Sequence, residues 1–395
     1  MKPFNFVIFG FTSNLAQLKI IPALYGLEEK GLLPERTKIF GIGRKQIDVS
    51  FFIGQVLRSE NRHHSHIVDP LVESRLVSRV SYLREDFEVE GTTLYSKLKN
   101  ISGNTLYYLA TYPNLYIKIF QLLKDNRLNE ERGSWTRIMI EKPIGSNYQT
   151  AKNLNKLLEE YFHEDQVFRV DHYLGKESLR KIFLSRFKKS GVERIEATVA
   201  ENFGIGKRGV YYEATGALLD VGQNHLLQMI AAVAAKSSDK NDRAEVLESL
   251  IANPNAIVFG QYNGYRQEEN VNPDSNVDTY FALKTELVNG PLAGVPIYLS
   301  AGKCLDKDEA KIVIYYNDGN KKTFLISPLD TPDKFDPYER LILEAVNGDQ
   351  TFFNSSREIE AAWKFVDRLS EAAKKIFIYK KGSNLMDDLH AKFMS

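Results

Sequence analysis

The chain has 395 residues, 43% hydrophobic and 26% charged, which excludes a disordered chain, a collagen-like repeat or a disulfide-built miniprotein and is long enough for two domains. Its 52 Lys and Arg against 51 Asp and Glu leave a net charge of +1, so bulk charge points neither to nucleic acid nor to a membrane surface. Cys304 is the single cysteine, which rules out an intrachain disulfide and suits a reducing compartment. The apolar runs Phe6–Phe11 and Leu226–Ala235 fall far short of the ~20 residues that span a bilayer, so the expectation is a soluble, cytoplasmic protein without a membrane or nucleic-acid partner.

In chain order, Asn5–Phe9 is a β-branched and aromatic run ending at Gly10 and predicts a buried strand. Leu15, Leu18, Ile21 and Tyr25 then recur at helical spacing and stop before Pro34. Lys38–Ile42, Thr105–Ala110 and Arg137–Ile140 predict further strands with helical patterns between them. Strands alternating with helices predict a parallel, doubly wound α/β sheet, a Rossmann-like dinucleotide-binding domain over residues 1–167. The first strand-to-helix turn is Gly10, Phe11, Thr12, Ser13, Asn14 and Leu15. A helix N-terminus there would point N–H groups and a positive dipole at a pyrophosphate. The glycine fingerprint is incomplete, however, and Ser13 stands where a glycine would ease backbone approach, so an ordinary β–α turn stays open. After the second strand comes Arg44-Lys45 rather than Asp or Glu, a pair suited to a 2′-phosphate and hence to NADP, or else two solvated charges.

From about Phe168 the texture changes. Long amphipathic helices mix with strands at Glu193–Ala200, Thr279–Glu286, Lys311–Tyr316 and Lys322–Ile326, predicting an α+β domain with a large, mainly antiparallel sheet over residues 168–395. Ser355 and Glu358 form a capping-box pattern ahead of the apolar stripe Ile359, Trp363, Val366 and Leu369. The histidines His63, His64, His66 and His163 show no ligand spacing, so no metal site is expected.

The densest chemistry lies in Arg169-Val170-Asp171-His172-Tyr173-Leu174-Gly175-Lys176-Glu177, where a His and a Lys near a helix start suit a phosphate monoester. Taken singly, His225 also fits a core histidine, Asp171 an N-cap, Lys142 a loop lysine and Lys303 a solvated charge.

This string resembles the signature of the glucose-6-phosphate 1-dehydrogenase family, and further blocks do too. They are Ile8–Ala16, Lys19–Tyr25, Ile140-Glu141-Lys142-Pro143-Ile144-Gly145, Gly216-Ala217 with Asp220, Gln223–Gln228, Gly294–Lys303, Asp336–Ile342 and Gly348–Gln350. The resemblance implies an NADP-dependent oxidoreductase, with NAD as an alternative cofactor, that oxidises C1 of glucose 6-phosphate to 6-phosphoglucono-1,5-lactone at the opening of the pentose phosphate pathway. It implies His225 as general base, for which an unperturbed pKa near ~6.5 is suited, and Asp171 as the carboxylate that orients it. His172, Tyr173 and Lys176 match the sugar-phosphate group; Lys142 matches a lysine reaching substrate and cofactor, beside a hinge proline at Pro143. Glu201, Asp220 and Lys303 match residues that hold sugar hydroxyls, and Lys19 a substrate-side lysine. Gly10, Thr12, Ser13, Asn14, Leu15, Arg44, Tyr112 and Pro113 match the cofactor site. A homodimer through the large sheet is implied as well.

Four departures accompany it. Ser13 and Asn14 replace a glycine and an aspartate, and a serine side chain there is expected to crowd or tilt the pyrophosphate. Gln17 and Leu18 replace basic residues ahead of Lys19, and Leu219 and Ser300 replace arginines, which thins the positive charge. The segment between Tyr316 and Asp336 is shorter than in the family, leaving little room for the second, structural NADP of some members. Two alternatives remain: the same chemistry on another hexose phosphate or modified sugar, and a non-catalytic nucleotide-binding paralogue.

Overall fold

A computed structural model describes residues 2–59, 68–86, 94–185, 187–326, 335–372 and 374–385. His63, His64 and His66, part of the short 316–336 segment and the last ten residues lie outside the described residues. The chain divides into two compact units, residues 1–175 with 334–354 and residues 176–333 with 355–395.

The first unit is built on six parallel strands: β1 (Asn5–Phe9), β2 (Lys38–Gly43), β3 (Val80–Arg84), β4 (Thr105–Leu109), β5 (Thr136–Ile140) and β6 (Val167–Arg169). Their order is β3-β2-β1-β4-β5-β6, the doubly wound arrangement in which β1 and β4 flank the switch point. Every residue of β1 and β4 is buried, so after Asn5 and Thr105 both read as uninterrupted apolar or aromatic runs rather than alternating ones. The helix Pro337–Asn347 belongs to this unit. Asp336 and Glu339 form a capping box at its start; at its end Arg137 Nη1 donates to the carbonyls of Ala345 and Val346 at 2.9 and 2.6 Å. Phe353 packs edge-on to Phe168 at 4.9 Å, fixing the outgoing chain against β6.

The second unit carries a seven-stranded sheet of β7 (Val192–Ala200), β8 (Ile257–Tyr262), β9 (Tyr280–Thr285), β10 (Ile297–Gly302), β11 (Glu309–Tyr316), β12 (Lys321–Leu325) and β13 (Ile376–Tyr379). The order is β12-β11-β7-β10-β9-β8-β13. Four neighbouring pairs are antiparallel, while β7–β10 and β8–β13 are parallel. The expected capping box opens the helix Ser356–Leu369, which buries Trp363, Val366 and Leu369. Among the described residues no helix is long and apolar enough to cross a membrane.

Candidate functional site

In the first unit the residues singled out from sequence gather at the carboxyl ends of the parallel strands. Gly10 follows β1 with φ at +86°, and a Cβ there would sit 2.4 Å from the Ala110 carbonyl oxygen, just beyond β4. Only glycine makes this tight turn at the switch point. None of Thr12, Ser13 and Asn14 adopts a positive φ. The Ser13 side chain turns inward: its Oγ accepts from Ala16 N at 3.1 Å, so it caps the opening helix. Its hydroxyl is thereby committed to the helix. Gln17, at a position that resembles a basic one, donates to the Thr12 carbonyl at 2.9 Å and braces the same loop. Asn14 is exposed, Leu15 packs against the core, and Lys19 is exposed on the π-helical turn Ala16–Ile20 that leads into the helix Ile21–Glu29.

Arg44 and Lys45 are exposed immediately after β2. Sequence pattern does not flag Arg84, yet β2–β3 pairing sets it opposite Gly43. Its Nε donates to the Arg44 carbonyl and its Nη1 to Gln46 Oε1, each at 3.3 Å. Two guanidinium groups therefore leave adjacent strand ends, a donor set that fits a 2′-phosphate. Tyr112, after β4, is 76% exposed, and Pro113 begins a single 3₁₀ turn. The residues of these strand ends fit a dinucleotide: a glycine turn and helix start for the pyrophosphate, basic groups after β2 and an open aromatic after β4.

The turns after β5 and β6 lie side by side. Val170 N donates to the Ile140 carbonyl at 2.9 Å, so Glu141-Lys142-Pro143 and Asp171-His172-Tyr173 emerge together. Lys142 is half-buried and its bond to Pro143 is cis. Asp171 is 1% exposed, and its Oδ1 accepts from Tyr173 N at 2.9 Å, capping the single helical turn His172–Gly175. His172 stacks on Tyr338 at 6.0 Å and 14°.

The second unit holds the remaining charges. Parallel pairing sets Ala200 opposite Gly302, so Glu201 and Lys303 leave β7 and β10 together. The Lys303 ammonium contacts the Glu201 carboxylate, lies 3.9 Å from Asp220 Oδ2, and sits 5.6 and 5.4 Å over the rings of Phe203 and Tyr212. These partners surround a lysine side chain that is only 2% exposed. Sequence pattern does not flag two further members, Arg208, 4.0 Å from Asp220 Oδ2, and Tyr211, whose hydroxyl donates to Asp220 Oδ1 at 3.2 Å. Burial first, and then Asp220, pushes the Tyr211 hydroxyl up. Arg208 thus returns a guanidinium to a cluster where Leu219 and Ser300 bring none.

Asp220 and buried His225 share the π-helix Leu218–Leu226, whose i→i+5 bonding leaves them one turn apart. Its start is set by Gly216 (φ +64°, ψ −179°), which breaks the preceding helix. Asp278 then accepts from Leu218 N at 2.9 Å and would clash at 2.6 Å with a Cβ on Gly216. Beyond His225, Gln228 donates to Glu358 Oε1 at 3.4 Å. Glu358 forms a fully buried pair with Arg243 at 2.7 Å. Lys176 Nζ donates to the Ile326 carbonyl at 3.3 Å.

A doubly wound sheet with a glycine turn at its switch point and basic groups after β2 defines a dinucleotide-binding protein of the Rossmann class. Residues 7–181 match the model of the glucose-6-phosphate dehydrogenase NAD-binding domain, and two segments, 179–334 and 325–393, match that of the glucose-6-phosphate dehydrogenase C-terminal domain. The glucose-6-phosphate 1-dehydrogenase of Borreliella burgdorferi is 34% identical, over 93% of this chain and 91% of that protein. The crystal structure of the Mycobacterium avium enzyme superposes with a TM-score of 0.86 at 31% identity, covering 97% of this chain and 95% of that one. A glucose-6-phosphate dehydrogenase solved in complex with glucose 6-phosphate gives 0.86 at 26% identity, covering 99% of this chain and 96% of that one. The chain belongs to the glucose-6-phosphate dehydrogenase family.

Proposed function

We propose that this chain is an NADP-preferring dehydrogenase that oxidises C1 of glucose 6-phosphate to 6-phosphoglucono-1,5-lactone. The observation that carries the reading is the π-helix bearing His225: it also carries Asp220, which joins buried Lys303 and Glu201 in one charged cluster. One helix thus supplies a base and part of a hydroxyl-binding set. When bound, the nicotinamide supplies the hydride acceptor.

In this reading His225 takes the proton of the C1 hydroxyl, and Asp171 stabilises the imidazolium that forms. The triad of Glu201, Asp220 and Lys303 holds sugar hydroxyls by charge-assisted hydrogen bonds. Arg208 and Tyr211 fix the Asp220 carboxylate. His172, Tyr173 and Lys176 take the 6-phosphate, with Lys19 and Lys142 on the substrate side. Gly10 to Leu15 hold the pyrophosphate, Tyr112 and Pro113 line the nicotinamide site, and Arg44 with Arg84 takes the 2′-phosphate. By the same resemblance the protein is a cytoplasmic homodimer working at the opening of the pentose phosphate pathway.

The test is a panel of glucose 6-phosphate, other hexose phosphates and unphosphorylated glucose, each with NADP and NAD, following reduced nicotinamide by absorbance. The highest kcat/KM is expected for glucose 6-phosphate with NADP, and Arg44→Ala is expected to lower the NADP-to-NAD ratio about tenfold. A higher kcat/KM for another sugar overturns the substrate assignment. A ratio unchanged in Arg44→Ala overturns the assignment of the 2′-phosphate.

A further inference from the structure

The family motif Glu141-Lys142-Pro143 has so far been used only through its lysine and proline. Glu141 is 6% exposed, at the end of an apolar strand where a turn needs no carboxylate. Its side chain accepts from the Tyr108 hydroxyl of β4 and from the backbone N–H of Lys142. Its carbonyl accepts from the Tyr116 hydroxyl at 3.0 Å, from the helix Tyr116–Asp125. Asp171, after β6, and Tyr338, on the helix Pro337–Asn347, face it electrostatically, and Tyr338 in turn stacks on His172. Among the described residues, those facing the carboxylate include Tyr108, Tyr116, Tyr338, Asp171 and Lys142, and Lys142 is the cation of this set.

We infer that Glu141 is the positioning residue of Lys142: its ionised carboxylate ties down the Lys142 N–H and faces its ammonium, and protonation loosens that hold. This rests on the reading of Lys142 as the lysine that reaches substrate and cofactor. Burial pushes the Glu141 carboxyl up to about 7; Tyr108 and Lys142 draw it down and Asp171 raises it further. The switch therefore works near neutral pH, and the ionised, Lys142-holding form gains as pH rises.

The experiment compares Lys142→Ala, Glu141→Gln, Glu141→Asp and Tyr108→Phe in the full chain, by pH profiles of kcat/KM and by thermal melts. Glu141→Gln is expected to lose about tenfold in kcat/KM at pH 8, because a charged acceptor becomes a neutral one. In the wild type, loss of the Glu141 proton adds about tenfold on top of the requirement for a neutral His225, so the acid limb of log kcat/KM steepens beyond a slope of one near neutral pH. In Glu141→Gln the extra steepness disappears and the slope stays at one, which a merely structural role would not produce; Glu141→Asp keeps the steeper limb and recovers part of the rate. Tyr108→Phe removes a donor that favours the ionised form and moves the limb to higher pH, which carries the test if Glu141→Gln does not fold. Impaired Lys142→Ala alongside Glu141→Gln of wild-type rate and slope, or alongside an unmoved limb in Tyr108→Phe, overturns the inference alone. A fully active Lys142→Ala overturns the reading of Lys142 and the inference with it.

Discussion

The two units assemble their charged groups by opposite routes. In the first, each group sits in a turn just past a parallel strand: residues 10–15 after β1, Arg44 after β2, 141–143 after β5, 171–173 after β6. Short contiguous stretches carry them, and the sheet only lines up their exits. In the second, Glu201 and Lys303 stand 102 residues apart and meet through the register of β7 and β10, with Glu201 N donating to the Gly302 carbonyl at 2.9 Å. Asp220 arrives on a separate helix, whose start depends on Asp278 from just ahead of β9. Strand-end turns make a site modular; long-range convergence makes it depend on the packing of the whole unit.

That contrast predicts where damage spreads. The largest effect is expected from Arg243→Ala, which leaves Glu358 buried without its cation beneath the helix that runs on from His225. Thermal or urea unfolding should show a loss of ~3–5 kcal/mol. A loss under ~1 kcal/mol would mean that the second unit does not lean on this pair.

Next is a pH effect confined to the first unit. Folding raises the Glu141 carboxyl to about 7, so between the unfolded value of ~4.3 and about 7 the folded chain holds an extra proton. Glu141 thus favours the fold most at low pH, and this contribution is lost as pH rises through about 7. Relative to wild type, Glu141→Gln should gain at most ~3 kcal/mol between pH 5 and pH 8 in denaturant titrations. An unchanged difference would show that the carboxylate is not desolvated by its strand-end turn.

Gly10→Ala should cost ~1–3 kcal/mol and raise KM for the cofactor, because φ at +86° and the Ala110 carbonyl leave no room for a methyl group. Preserved cofactor binding would detach the turn from the site. Ser13→Gly should be the mildest change. It removes a helix cap worth a few tenths of a kcal/mol against glycine and should shift the cofactor KM less than about threefold. A tenfold fall in KM would show that the serine crowds the pyrophosphate after all.

How far the fold could be read in advance follows the same division. β1, β2, β4 and β5 stand out as continuous apolar runs because helices cover both faces of a parallel sheet. Half-exposed β3, three-residue β6 and four-residue β13 at the edge of its sheet are too short or too open to show such a run. The capped helix Pro337–Asn347 is locally plain, but nothing local shows that it packs with the first unit. Gly10 and the 169–177 string carry chemistry within a few residues and draw notice. Glu201, Asp220 and Lys303 do so only through the family resemblance. Arg84, Arg208 and Tyr211 escape because their meaning lies in contacts with Arg44 and Asp220, which no spacing rule encodes. Glu141 stands inside a noticed motif, yet its weight comes from burial among three tyrosines.

The central claim is that His225 on the π-helix is the base of a sugar-phosphate dehydrogenase. Its most direct test is reduction of NADP by glucose 6-phosphate, compared between the wild-type chain and His225→Ala of matched melting temperature. The account predicts robust turnover in the first and a loss of ~10²–10⁴-fold in kcat in the second. Turnover that survives His225→Ala, or a wild-type chain that reduces neither NADP nor NAD with this sugar, would contradict it.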